Sequence, residues 1–193
     1  VHGMVHDGDP AVAALRERLP DVPLHVGDLA DHAGLERLVT EVEPDEVYNL
    51  AGISSVAFSW QEPIRTAQLS GLAAAALMEA ALALQERTGR RVAVLQASSA
   101  EIFGQAEHAP QDESTAIRPV SPYGAAKAYA HHMAHVLRGH GAHVATVILF
   151  NHESPRRPES FVTRKITAGA ARIARSGGGT LTPGNLDARS DWG

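Results

Sequence analysis

The chain contains no cysteine, which excludes a disulfide framework and a thiolate metal site. It has no basic excess. Seventeen Lys and Arg stand against 22 Asp and Glu, for a formal net charge of −5. Nothing in that balance points to nucleic acid, and the small basic clusters suit local phosphate contacts. No uninterrupted apolar run reaches about 18 residues, and the first residues carry no cleavable signal pattern. The expectation is a cytoplasmic protein without a membrane segment. Repeats and low-complexity tracts are also missing. What is present is an ordinary profile: 193 residues, 44% hydrophobic and 20% charged, enough for one α/β domain with a sizeable core.

Apolar, β-branched stretches at Val1–Val5, Val22–Val26, Glu46–Leu50, Arg91–Gln96 and His143–Phe150 read as strands. Between them the spacing predicts helices. One follows Asp9-Pro10, with Leu15 and Leu19 on its apolar side. Another follows Asp31 as a cap, with Leu35, Leu38, Val39 and Val42 at helical spacing. Longer helices are expected over Pro63–Arg87, from Tyr123 to about Arg138, and over Phe161–Arg175. This alternation implies an α/β fold with a doubly wound, Rossmann-like parallel sheet and helices on both faces. Ligands in such sheets bind beyond the carboxyl ends of the strands. The polar stretches Gly27-Asp28-Leu29, Leu50–Ser54, Ser98–Glu101 and Asn151–Arg157 fall at those ends.

A dinucleotide fold of this kind needs a first strand and a glycine-rich turn whose amides reach a pyrophosphate. No such turn occurs in the chain; Gly177–Gly179 comes late and opens no strand-to-helix unit. The sheet is therefore expected to be incomplete at the N-terminus, with a gap between the strands at Val1 and Glu46. Such a gap exposes two edges and a core face, so the chain reads as a fragment of poor independent stability.

Ser121–Lys127, S-P-Y-G-A-A-K, carries the chemistry. Pro122 suits a first helical turn, with Ser121 as its cap. Tyr123 and Lys127, four apart, then share one helix face. A phenol has a pKa of roughly 10, and a neighbouring ammonium favours the phenolate. The pair is a device for taking a proton from a sugar hydroxyl while hydride leaves the same carbon. Taken alone, Y-x-x-x-K is common and also fits a solvated helix start.

The neighbouring motifs narrow this. G-D-L at 27–29, E-V-Y-N-L at 46–50, Q-A-S-S-A-E-I-F-G at 96–104, L-F-N-H-E-S-P-R-R at 149–157, F-V-T-R-K-I at 161–166 and G-N-L-D-A-R-S-D-W-G at 184–193 resemble, in order, the GDP-mannose 4,6-dehydratases. These are a family of extended short-chain dehydrogenase/reductases. The resemblance implies GDP-mannose as substrate and an internal redox dehydration: hydride leaves carbon 4, water is lost across carbons 5 and 6, and hydride returns to carbon 6. It implies Tyr123 as base and Lys127 as its partner, which also holds the nicotinamide ribose. Glu101 would be the carboxylate for the carbon 5 proton, and Ser99, where the family has threonine, a hydrogen-bond donor to the carbon 4 oxygen. Ala100 replaces a family serine. The related dTDP-glucose dehydratases carry Asp-Glu where this chain has Ala100-Glu101, and epimerases need no such glutamate.

For the cofactor, the resemblance implies contacts from Asp28, Leu29, Leu50, Ala51, Gly52, Ile53, Ser54, Arg65, Tyr123, Lys127, His152 and Arg157. Asn151, Lys165 and Arg189 fall to the GDP-sugar side. The family's cofactor is NADP. Here His6 and Asp7 stand where the family has two arginines for the 2′-phosphate, and an acid beside the ribose favours NAD, so both dinucleotides stay open. Residues 1–158 read as a partial NAD(P)-binding domain and 159–193 as the start of the nucleotide-sugar-binding portion. Family members form dimers or tetramers. No metal is expected: His131, His132 and His135 suit a solvated or subunit-facing helix surface. The competing reading is a noncatalytic remnant that at most binds nucleotide sugar or a full-length subunit.

Overall fold

Strands and helices alternate as the pattern predicts in the computed structural model, which describes residues 1–184, 186 and 187. Strand β1 (Gly3–Val5) pairs in parallel with β2 (Leu24–Val26), Gly3 opposite Leu24 and Val5 opposite Val26. β3 (Glu46–Asn49), β4 (Ala93–Ser99) and β5 (His143–Leu149) form a second sheet in that order. There β3 and β4 run parallel, with Glu46 opposite Ala93 and Asn49 opposite Gln96. The expected discontinuity is thus present: β1 and β3 lie in different sheets. β2 starts two residues later than the sequence suggests, after Pro23, which has no amide to give a ladder. The Pro23 carbonyl still accepts from the Gly3 amide at 2.9 Å.

Helix starts follow local chemistry. Before α1 (Ala11–Arg18) the Asp9 carboxylate accepts from the Ala11 amide at 2.8 Å; this helix buries no residue fully. Asp31 caps α2 (His32–Val42) through the Gly34 amide at 2.9 Å. Ser55 caps α3 (Val56–Gln61) through Phe58, and Ser121 caps α6 (Pro122–Gly139) through Gly124 at 3.0 Å. The single long helix expected from Pro63 is instead composite. α4 (Pro63–Ala67) runs into a π-helical turn over Gln68–Leu72, then into α5 (Ala73–Thr88). α7 (Val162–Ser176) follows β5.

Two compact units result, Val1–Ile148 and Leu149–Gly193. In the first, α2, α5 and α6 bring Val39, Met78, Leu84, Ala134 and Leu137 against Val94 and Val144. Alanines at 73–75, 80, 81, 126, 128, 130 and 134 keep α5 and α6 slender enough to pack closely. The alternate strand residues face the other way, where Tyr48 is 63% exposed. A groove of about 410 Å³ runs along the starts of β3, β4 and β5, lined among others by Glu46, Tyr48, Arg91, Leu95 and His143. By length and composition, Pro63–Thr88 is apolar enough to cross a membrane although no uninterrupted run reaches that length. Half of its apolar window is buried in this fold, and a core helix passes the same test.

Candidate functional site

The far ends of β3 and β4 hold the polar interior. β4 delivers Ser99 and then a 3₁₀ turn, Ala100–Ile102. The Ser99 hydroxyl accepts from the Glu101 amide at 3.2 Å, while Ile102 and Phe103 are fully buried and anchor the turn. Glu101 itself is exposed. The start of α6 lies directly on this turn. A Cβ at Gly124 would meet the Glu101 carbonyl oxygen at 2.5 Å and Pro119 Cβ at 3.1 Å. The backbone of the Glu101 turn thus lies against the start of α6, beside the residue that follows Tyr123.

Lys127 is 6% exposed. Its Nζ donates to the Ala97 carbonyl at 3.0 Å and stands 5.9 Å from the centre of the Tyr123 ring. Burial holds this ammonium below the usual lysine range, because desolvation penalises the charged form. Ser99 and Glu101 at the strand end, and Tyr123 and Lys127 at the helix start, thus stand on two segments that touch.

The turn after β3 is tied to the same place. The Asn49 amide donates to Gln96 Oε1 at 2.7 Å, in a pair buried between β3 and β4. Gln96 Nε2 donates to the Ala97 carbonyl at 2.9 Å, the oxygen that also takes Lys127. Asn49 Oδ1 accepts from the Ala51 amide at 3.3 Å. Leu50 then projects 70% exposed, followed by Ala51, Gly52, Ile53 and Ser54. Gly52 has φ +128°, which a side chain rarely adopts. The sequence suggests that Gly52 leaves room for a cofactor. The structure gives another reason, since a Cβ there would lie 2.9 Å from Ser70 Oγ.

Other expected cofactor residues stand on other elements. Asp28 and Leu29 follow β2 in the other sheet, where Asp28 Oδ1 accepts from the Ala30 amide at 2.9 Å. His6 and Asp7, after β1, are exposed, as is Arg65 on α4. In the second unit the His152 ring donates from Nδ1 to the Phe150 carbonyl at 2.8 Å. Arg157 stacks on Phe161, its guanidinium carbon 3.6 Å from the ring centre, and pairs with Glu153 at 3.5 Å. Glu153 also accepts from the Thr163 hydroxyl. Asn151 is exposed, and Lys165 donates to the Thr182 carbonyl at 2.9 Å. Arg189 lies outside the described residues.

Sequence reasoning passed over Asn49, Gln96 and Ser70. The first two had a signal, being polar residues at inward positions of apolar strands. Ser70 is a hydroxyl in an alanine- and leucine-rich helix.

Parallel strands, a Tyr-Lys helix and a polar strand-end cluster define the class: an α/β fold of the extended short-chain dehydrogenase/reductase type. Solved structures agree. The chain superimposes with a TM-score of 0.73 on a dTDP-glucose 4,6-dehydratase, DesIV of Streptomyces venezuelae with NAD and DAU bound, at 21% identity over 88% of this chain and 52% of that one. That identity speaks to fold alone. RMD of Pseudomonas aeruginosa, complexed with NADPH, gives 0.65 at 28% identity over 91% of this chain and 61% of that one. The family model described as GDP-mannose 4,6 dehydratase matches residues 3–193. The chain belongs to that family. It is 47% identical to the GDP-mannose 4,6-dehydratase of Vibrio cholerae over 88% of its own length. It spans about half the length of the curated relatives it matches, 45% in that case.

Proposed function

We propose that this chain contributes the dehydrating half-site of a GDP-mannose 4,6-dehydratase, forming GDP-4-keto-6-deoxymannose with a nicotinamide dinucleotide. The observation that carries the reading is the packing of the α6 start, which bears Tyr123 and buried Lys127, on the strand-end turn that bears Ser99 and Glu101. NADP is the dinucleotide proposed from the family; Asp7 favours NAD, and comparing the two affinities decides. The residues fit such a group: a buried ammonium beside a phenol suits a ribose hydroxyl, and the exposed Leu50–Ser54 turn suits an adenosine or nicotinamide face. When bound, the dinucleotide supplies hydride acceptance at carbon 4 and hydride return at carbon 6.

The chain's own residues do the rest. Tyr123 takes the proton of the carbon 4 hydroxyl, and the Lys127 ammonium stabilises the resulting phenolate. The Ser99 hydroxyl hydrogen-bonds the carbon 4 oxygen. The ketone acidifies carbon 5; Glu101 removes that proton and passes it to the carbon 6 hydroxyl, which leaves as water as the carbon 5–carbon 6 double bond forms. Asn151, Lys165 and Arg189 are proposed on the GDP-sugar side, and His152 and Arg157 on the dinucleotide.

The test uses the protein of the complete open reading frame containing this sequence. Glu101→Gln keeps carbon 4 oxidation, read as nicotinamide absorbance, and lowers water loss by about 10²–10⁴-fold. Undiminished dehydration by the variant removes Glu101 from its role, and no conversion of GDP-mannose by the parent removes the reading. The second reading, a noncatalytic remnant, is favoured by the division of the strands into two sheets. Nucleotide-sugar binding without turnover by the parent protein would support it.

A further inference from the structure

Ser70 is 1% exposed, and its position is unusual. It sits in the five-residue π-turn Gln68–Leu72 that interrupts the long helix. Its Oγ accepts from the Ile53 amide at 2.9 Å and lies 3.4 Å from the Ile53 carbonyl, so one hydroxyl meets both backbone groups of one residue. The same oxygen fills the space beside Gly52. Gly71, on the other side of the turn, faces α6: a Cβ there would meet the Ala126 carbonyl at 3.3 Å and Tyr129 Cδ1 at 3.4 Å. The π-turn is thus wedged between the Leu50–Ser54 turn and the stretch of α6 that carries Lys127. A π-turn holds one residue more than an α-turn.

We propose that Ser70 is a positioning residue for dinucleotide binding: from the π-turn it clamps the Ile53 backbone and sets the Leu50–Ser54 turn against the Tyr123–Lys127 helix. This rests on the reading of that turn as cofactor-lining. The hydroxyl touches no reacting atom; it acts through Ile53. Its removal leaves a partly buried amide without its acceptor, so the turn loosens while the core of β4 stays closed.

The protein of the complete open reading frame is compared with its Ser70→Ala variant by amide hydrogen exchange and by titration with NADP. The Ile53 amide is expected to exchange roughly tenfold faster, and the NADP dissociation constant to rise roughly three- to tenfold. The Val94 amide, in the core of β4, is expected to keep its protection. A merely structural role would speed both amides together, and that result overturns the inference. So does unchanged Ile53 exchange, or unchanged NADP affinity in a variant whose Ile53 amide has loosened. Failure of the unaltered protein to bind NADP overturns the cofactor reading of the turn and the role of Ser70 with it, a result separable from any effect of the variant. If Ser70→Ala does not fold, Ser70→Cys, which keeps the volume and weakens the acceptor, is read by the same two measurements.

Discussion

Replacing Gly124 by alanine tests the contact on which the site depends. Gly124 lies in the first turn of α6, and the added Cβ would stand 2.5 Å from the Glu101 carbonyl oxygen and 3.1 Å from Pro119 Cβ. Ordinary contact needs almost 1 Å more, and the obstacle is backbone, which does not swing away as a side-chain tip does. Two effects compete. Alanine favours the helix over glycine by up to about 1 kcal/mol. Overpacking costs about 1–3 kcal/mol, and a carbonyl obstacle puts this case near the upper end. The net loss is about 1–2 kcal/mol, which for a chain of this size lowers Tm by roughly 2–8 °C. The same strain moves the Glu101 turn from Tyr123, and a misplacement on the order of 1 Å lowers turnover by about 10²-fold. Gly139 at the other end of α6 is the internal control, because nothing lies within 4 Å of the Cβ it would gain. Gly139→Ala is expected to leave urea unfolding unchanged or to raise its midpoint. If Gly124→Ala proves as stable and as active as the parent, α6 does not rest on the Glu101 turn and the catalytic cluster is wrong.

Two further outcomes follow from the buried polar groups. Lys127 has its pKa lowered by burial, so in the window between that lowered value and the ordinary lysine value of about 10.4 the unfolded chain binds more protons than the folded one. Stability contributed by this group therefore rises with pH through that window and is missing below it. Relative to Lys127→Met, the parent should gain stability in urea titrations as alkaline pH approaches 10.4, and a parallel pair of curves refutes the assignment. Gln96→Leu strands the buried Asn49 amide that it now receives at 2.7 Å and should cost about 1–3 kcal/mol. The double variant with Asn49→Val should lose less than the two single losses summed, and simple additivity in a double-mutant cycle would show that the pair is not coupled.

Much of this fold was legible in one dimension. Apolar, β-branched stretches marked all five strands, and Asp31 and Ser121 marked helix starts that their side chains do cap. The absent glycine-rich turn anticipated a break between the strands at Val1 and Glu46, and the two sheets divide there. The Tyr123–Lys127 spacing pointed to a candidate base and its partner. Each of these signals is local: it lies within a few residues and follows from backbone geometry, propensity or a cap.

The tertiary structure alone decided the rest. Asn49 meets Gln96 across 47 residues and Ile53 meets Ser70 across 17. The helix expected to run unbroken from Pro63 gives way to a π-turn, and Gly52 and Gly124 prove to be glycines because other parts of the chain press on them. No helical or strand period encodes such contacts, since they join residues that only folding brings together. The amino-acid pattern determined which elements form and which groups sit at their ends; close packing determined how near those groups stand.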